Sequence, residues 1–142
     1  MKYLTIEKLI PHRDRMKLID EIIDVDDETA VTGSVVSAEW PLFKEGSVRS
    51  LILIELVAQT AGVCLGWKEL KKGGDNTGGS GWLVGIKEAV FFLDMIPLDS
   101  RIIVRSKNSL DFGNYHEVLG VARMDSKIIG QIRLQVVQSD TN

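Results

Sequence analysis

The sequence predicts an α+β domain in which an antiparallel sheet wraps one long central helix. Three observations lead there. The stretch "SLILIELVAQTAGVCLGWKELKK", residues 50–72, has no proline, is long enough for a major helix, and is apolar on almost every side as far as Trp67. Something must cover nearly all of it, and a curled sheet can. Extended segments rich in β-branched residues lie on both sides of this stretch, two before it and four after it. The last three follow one another through short loops, so an antiparallel meander is the economical pairing. A length of 142 residues suits one domain spanning 1–142.

Each element has its own signals. "TIEKLI", residues 5–10, has helical spacing and stops at Pro11, which cannot continue a helix. "KLIDEIIDVD" and "AVTGSVVSA" read as two strands joined as a hairpin through the acidic turn "DDET". "EWPLFKEGSVR", with Pro41 and Gly46, shows no clear period and reads as a connection. Ser50 stands where an N-cap belongs, and Lys68, Lys71 and Lys72 suit the negative end of the helix before the Gly73-Gly74 stop. "GGDNTGGSG" is a flexible linker whose glycines match neither a Walker A motif nor a dinucleotide fingerprint. "WLVGIKEAVFFL", "SRIIVRSKNSL", "YHEVLGVARMD" and "KIIGQIRLQVVQ" are strands, with "MIPLDS", "DFGN" and "MDSK" as the turns between them.

Composition narrows the partners. Seventeen basic and twenty acidic residues give a formal net charge of -3, so no overall positive field points to nucleic acid or an anionic membrane. The richest apolar run contains Glu55 and Gln59 and falls short of the ~20 apolar residues that span a bilayer. One cysteine, Cys64, and a polar start, "MKYLTIEKLIPHR", lead us to expect a cytoplasmic protein. With no paired Cys/His spacing, no bound metal and no cofactor are expected.

Several stretches resemble a known family. "LIPHRDRMKLIDEI" is similar to the "PHR…LLVDR" opening of β-hydroxyacyl-acyl-carrier-protein dehydratases of the FabZ/FabA type. "LILIELVAQTAG" is similar to their helix motif "LILEAMAQAAG", and "WLVGIKEAVFFLDMIPLDSRIIV" to their "VGIDKARF…PGDQL" stretch. The resemblance implies a hotdog fold, dimerised so that acyl tunnels lie along the subunit interface. It also implies an active site built from a loop histidine and a helical carboxylate contributed by opposite subunits. Glu55 matches the carboxylate. Counting back without gaps, the histidine position falls on Pro41, and the glycine whose N–H binds the thioester carbonyl falls on Ser50. A divergent subgroup associated with aryl-polyene synthesis, which lacks that histidine, is closer.

The candidate site follows from these residues. Glu55 and Gln59 are four apart and share a helix face, so Glu55 is either an acid–base group positioned by Gln59 or a structural carboxylate held by it. Gly46, Arg49, Ser50 and His12 are candidate substrate contacts. Lys44 and Arg49 either attract an acidic carrier protein or form a solvated pair. His12 either replaces the missing base or anchors its loop; His116 faces no predicted carboxylate, and Cys64 is a buried structural thiol. Three functions are consistent with this set. One is a dehydratase acting on acyl-carrier-protein or coenzyme A thioesters, and the second is a thioesterase using Glu55. The third is a silent hotdog subunit partnering an active dehydratase. A homodimer or larger hotdog oligomer, or such a heterodimer, is the expected assembly.

Overall fold

The computed structural model describes residues 17–71 and 80–140. The expected helix at 5–10 and His12 lie outside the described residues, as does most of the glycine-rich linker. The chain begins with the hairpin of β1 (Glu21–Val25) and β2 (Thr29–Val35), paired from Glu21↔Gly33 to Val25↔Ala30. Its turn is built by Asp26, whose Oδ1 accepts hydrogen bonds from the N–H groups of Glu28 and Thr29, both at 2.8 Å. Those two donors hold the Asp26 carboxyl below its usual range.

Next comes a pair that the sequence does not announce. The segment read as an irregular connection forms β3 (Phe43–Lys44) and β4 (Ser47–Arg49), joined by Glu45 and Gly46 at φ 53° and 85°. Two consecutive left-handed residues make a tight hairpin turn, and the second of them favours glycine. A further correction concerns "MIPLDS". Met95–Pro97 within it is a strand, β6, that pairs with β4 to complete a small three-stranded sheet. Both stretches escape sequence reading because each strand is too short to show a period of two.

The central helix, α1, runs from Ile52 to Lys71, and the long strands β5 (Ser80–Phe91), β7 (Arg101–Phe112), β8 (Tyr115–Met124) and β9 (Lys127–Asp140) follow. The main sheet has six strands in the order β1-β2-β7-β8-β9-β5, every neighbouring pair antiparallel. The expected hairpin and meander are therefore both present. Along β7 the pattern is strict alternation: Ile102, Val104 and Ser106 point inward while Arg101, Arg105 and Lys107 point out. The inward residues of β7, β8 and β9 meet Leu53, Leu56 and Val57 of the helix in one large core. A smaller cluster of Ile19, Val25, Ala30, Val63 and Cys64 closes the helix against the first hairpin.

The N-cap expectation is corrected. The Ser50 hydroxyl donates to the Leu93 carbonyl instead of capping the helix, and the first turn closes through Leu53 N–H to Ser50 O at 2.9 Å. Ser50 is thus a tether between the helix start and the end of β5.

Two glycines let the helix sit down on the sheet. A Cβ on Gly120 of β8 would overlap the Val57 side chain, and one on Gly130 of β9 would come 2.7 Å from Leu53 Cδ1. Gly120→Ala should therefore destabilise the fold by ~1–3 kcal/mol through overpacking. Urea unfolding of Gly120→Ala alone and with Val57→Ala checks this: the second change should recover part of the loss.

Candidate functional site

On α1 the buried residues occupy most of the circumference, from Ile52 and Leu53 through Gly66. What stays open is a stripe at i, i+3, i+4 and i+7: Leu51 is 53% exposed just before the helix, and Ile54, Glu55 and Ala58 are half-buried. Glu55 thus faces neither the core nor open water. It lies on the stripe of the helix that the described residues leave partly exposed.

Gln59, one turn further on, has no exposure to solvent. Its amide is used at both ends. Oε1 accepts the Leu18 N–H at 2.9 Å, which fixes Nε2 as the end that donates to Glu55 Oε1 at 3.0 Å. The backbone entering β1 thereby sets the orientation of the carboxylate, a relay that spacing alone could not reveal. The four-residue separation pairs Glu55 with Gln59 but says nothing of Leu18.

Two adjoining hollows flank the start of the helix. One, of about 490 Å³, is lined by Arg49, Ser50, Leu51, Phe91, Leu93, Asp94 and Met95. The other, of about 520 Å³, is lined by Leu42, Phe43, Lys44, Glu45, Arg49 and Met95. Leu51, which lines the first hollow, precedes Glu55 by four residues on the same face of the helix. Arg49 borders both hollows, and neither Arg49 nor Lys44 makes an ion pair among the described residues. Gly46 is exposed at the tip of the β3–β4 turn, where its carbonyl accepts the Leu98 N–H at 2.9 Å. The amide expected to bind a thioester carbonyl is already engaged: Ser50 N–H donates to Asp94 O at 2.9 Å.

The other candidates separate cleanly from this site. His116 is 4% exposed, and the expectation that it faces no carboxylate is corrected. Its cross-strand neighbour is Asp111, whose Oδ1 lies 2.5 Å from His116 Nδ1, and Lys68 Nζ is 3.6 Å from Asp111 Oδ2. The pairing depends on the register of β7 against β8, which the sequence does not specify. Lys68 lies 13 residues beyond Glu55, about 20 Å along the helix, so His116 cannot act on the same substrate atoms. Cys64 is buried, its Sγ–H donates to the Asp26 carbonyl at 3.3 Å, and burial pushes the thiol up to about 12. No group of three or more His, Cys, Asp or Glu suited to a metal occurs among the described residues. No helix among them is long and apolar enough to cross a membrane.

Comparison with known proteins decides the family. The ApeP-like family, described as ApeP dehydratase, matches residues 4–142. The chain belongs to the ApeP-like dehydratase family. It is similar to the 3-hydroxyacyl-[acyl-carrier-protein] dehydratase FabZ of Allorhizobium ampelinum, 30% identical over 135 residues, covering 90% of this chain and 83% of that one. FabZ of Thermotoga maritima is 29% identical over 134 residues, covering 91% of each chain. Among solved structures, the dehydratase heterocomplex ApeI:P from Xenorhabdus doucetiae superposes with a TM-score of 0.87 at 20% identity, covering 98% of this chain and 93% of that one. One helix enclosed by a curled antiparallel sheet is the hotdog fold that these relatives share.

Two expectations follow from the geometry. Gln59→Leu removes both amide hydrogen bonds and orphans the buried Leu18 N–H, so chemical denaturation should show a loss of ~1–3 kcal/mol. The second concerns acid. Burial raises the Asp111 carboxyl, but the His116 hydrogen bond and Lys68 outweigh it, and the net shift is downward. A carboxyl lowered on folding adds stability that is complete above its unfolded value near ~3.9 and is lost as pH falls through the lower folded value. Asp111→Asn should therefore flatten the acid side of the stability–pH curve, below pH ~4, as measured by chemical denaturation across that range.

Proposed function

We propose that this chain is the carboxylate-bearing half of a 3-hydroxyacyl thioester dehydratase, completed by a histidine from a partner chain. The substrate is an acyl group carried on an acyl carrier protein. The observation that carries this reading is the placement of Glu55. It is oriented by a fully buried glutamine, lies on the helix stripe that the described residues leave partly exposed, and has no histidine of the described residues near it. Pro41 stands where the family's loop histidine belongs, in a turn just before β3. In a hotdog pair the histidine and the carboxylate come from opposite subunits, so the absence of a histidine at position 41 disables only the site to which this chain would lend its loop. The site to which it lends Glu55 stays whole if the partner carries the histidine. The structural likeness to the ApeI:P heterocomplex of Xenorhabdus doucetiae, itself an assembly of two different chains, supports an arrangement of this kind.

The chemistry then divides simply. The partner's base takes the proton from the carbon next to the thioester carbonyl, and the electron pair left behind forms the new double bond as the bond to the β-hydroxyl breaks. Glu55, entering as the acid, gives its proton to the departing oxygen, which leaves as water. Gln59 Nε2 donates to Oε1, and this hydrogen bond stabilises the carboxylate after transfer. Arg49 and Lys44, at the mouth of the hollows, suit the phosphate of a carrier's prosthetic arm.

The test uses this chain purified with a histidine-bearing hotdog dehydratase subunit and supplied with a 3-hydroxyacyl carrier protein. The pair should form the enoyl product and this chain alone should not. Glu55→Gln should lower kcat by about 10²–10⁴-fold, while removing the partner's own helical carboxylate should cost little. Full activity of the pair with Glu55→Gln would sink the reading.

A further inference from the structure

The outer face of the main sheet carries a feature that plays no part in the chemistry around Glu55. Across β7 and β8, three successive outward cross-strand pairs each join a cation to an aliphatic side chain: Ile103 with Arg123, Arg105 with Val121, and Lys107 with Leu119. Arg105, Lys107 and Arg123 are exposed, whereas Ile103, Leu119 and Val121 are half-buried beneath them. Five of these residues, Arg105, Lys107, Leu119, Val121 and Arg123, line a shallow hollow of about 250 Å³.

Four cations elsewhere on the surface are ion-paired. Lys68, Lys71, Lys87 and Arg101 each have an ion-pair partner, namely Asp111, Asp27, Glu117 and Glu21. Arg105, Lys107 and Arg123 have none among the described residues. Asp26 is attracted by Arg105 at a distance, but its Oδ1 is committed to the N–H groups of its own turn. In a chain of net charge -3, three unpaired cations around an aliphatic floor form a local field opposite in sign to the whole.

We infer that this face docks an acidic protein segment that carries aliphatic side chains. Carboxylates would meet the three cations while apolar side chains fill the hollow, which is the core-and-rim arrangement of a protein interface. A second copy of the chain fits poorly, since a two-fold contact would set these cations against themselves. A nucleic acid would use the charges and gain nothing from the half-buried aliphatic floor. Within the hollow the aliphatic side chains Leu119 and Val121 are half-buried, so a bilayer would find no protruding apolar side chain there to insert. The face lies on the opposite side of the sheet from α1 and Glu55, so its occupant would not block the acyl route.

The probe is a labelled helical peptide with glutamate on one face and leucine on the other, titrated against the full chain and followed by fluorescence anisotropy. Binding should be salt-dependent, because exposed charges are screened within about 10 Å at 0.1 M salt. Replacing Arg105, Lys107 and Arg123 together by Glu should weaken it at least tenfold. The milder triple change to Gln should weaken it less, with unchanged far-ultraviolet circular dichroism showing that both variants fold. Glu55→Gln should bind the peptide as the parent does, which separates this inference from the proposed chemistry. The inference is overturned if charge reversal leaves binding intact, or if polyglutamate, duplex DNA or anionic vesicles bind as tightly as the amphipathic peptide. Self-association that charge reversal abolishes would likewise overturn it, in favour of a second copy.

Discussion

Everything in this structure depends on covering a helix that is apolar nearly all the way round. A helix with one apolar stripe can lie on a sheet, whereas α1 has to be enclosed. Enclosure requires close approach, and Gly120 and Gly130 supply it by leaving room for Val57 and Leu53. It also requires the sheet to be long and curled, which six antiparallel strands provide. Among the described residues, the stripe left partly exposed over the first half of the helix is the one bearing Leu51, Ile54, Glu55 and Ala58. A demand of hydrophobic burial therefore also selects the face on which chemistry can occur.

Glu55 and Gln59, on one face of that helix, are treated differently. Gln59 is fully buried and both ends of its amide are bonded, as an interior amide must be. Glu55 is half-buried and accepts a hydrogen bond from Gln59 Nε2. A carboxylate at the margin of a core is costly unless something meets it, and in the proposed pair a further partner comes from the other chain. The Leu18 backbone, through Gln59, orients the carboxylate in advance of any such encounter. Preorganisation of this kind lowers the cost of assembling a site between two chains.

Much of this is legible in the sequence. The helix declares itself by its length and its lack of proline, the long strands by extended β-branched runs of ten or more residues, and Glu55 stands out as an acid inside an apolar run. The spacing of Glu55 and Gln59 reveals their shared face. What stays hidden is of two kinds. Short elements, β3, β4 and β6, have too few residues to show a period. Contacts between segments distant in sequence, such as Leu18 with Gln59 or Ser50 with Leu93 and Asp94, depend on where the chain returns in space. His116 belongs to the second kind: its pairing with Asp111 follows from strand register, and no local pattern encodes register across a bulged hairpin.

The central claim is that Glu55 forms half of a site completed by another chain. The most direct measurement is an experimental structure of this chain bound to a histidine-bearing dehydratase partner, with a non-hydrolysable acyl analogue in place. The account predicts a histidine of the partner on the opposite side of the acyl chain from Glu55, with both groups within hydrogen-bond reach, ~2.6–3.2 Å, of the analogue or one water away. A complex in which the partner covers a different face and no histidine approaches the analogue beside Glu55 would contradict it.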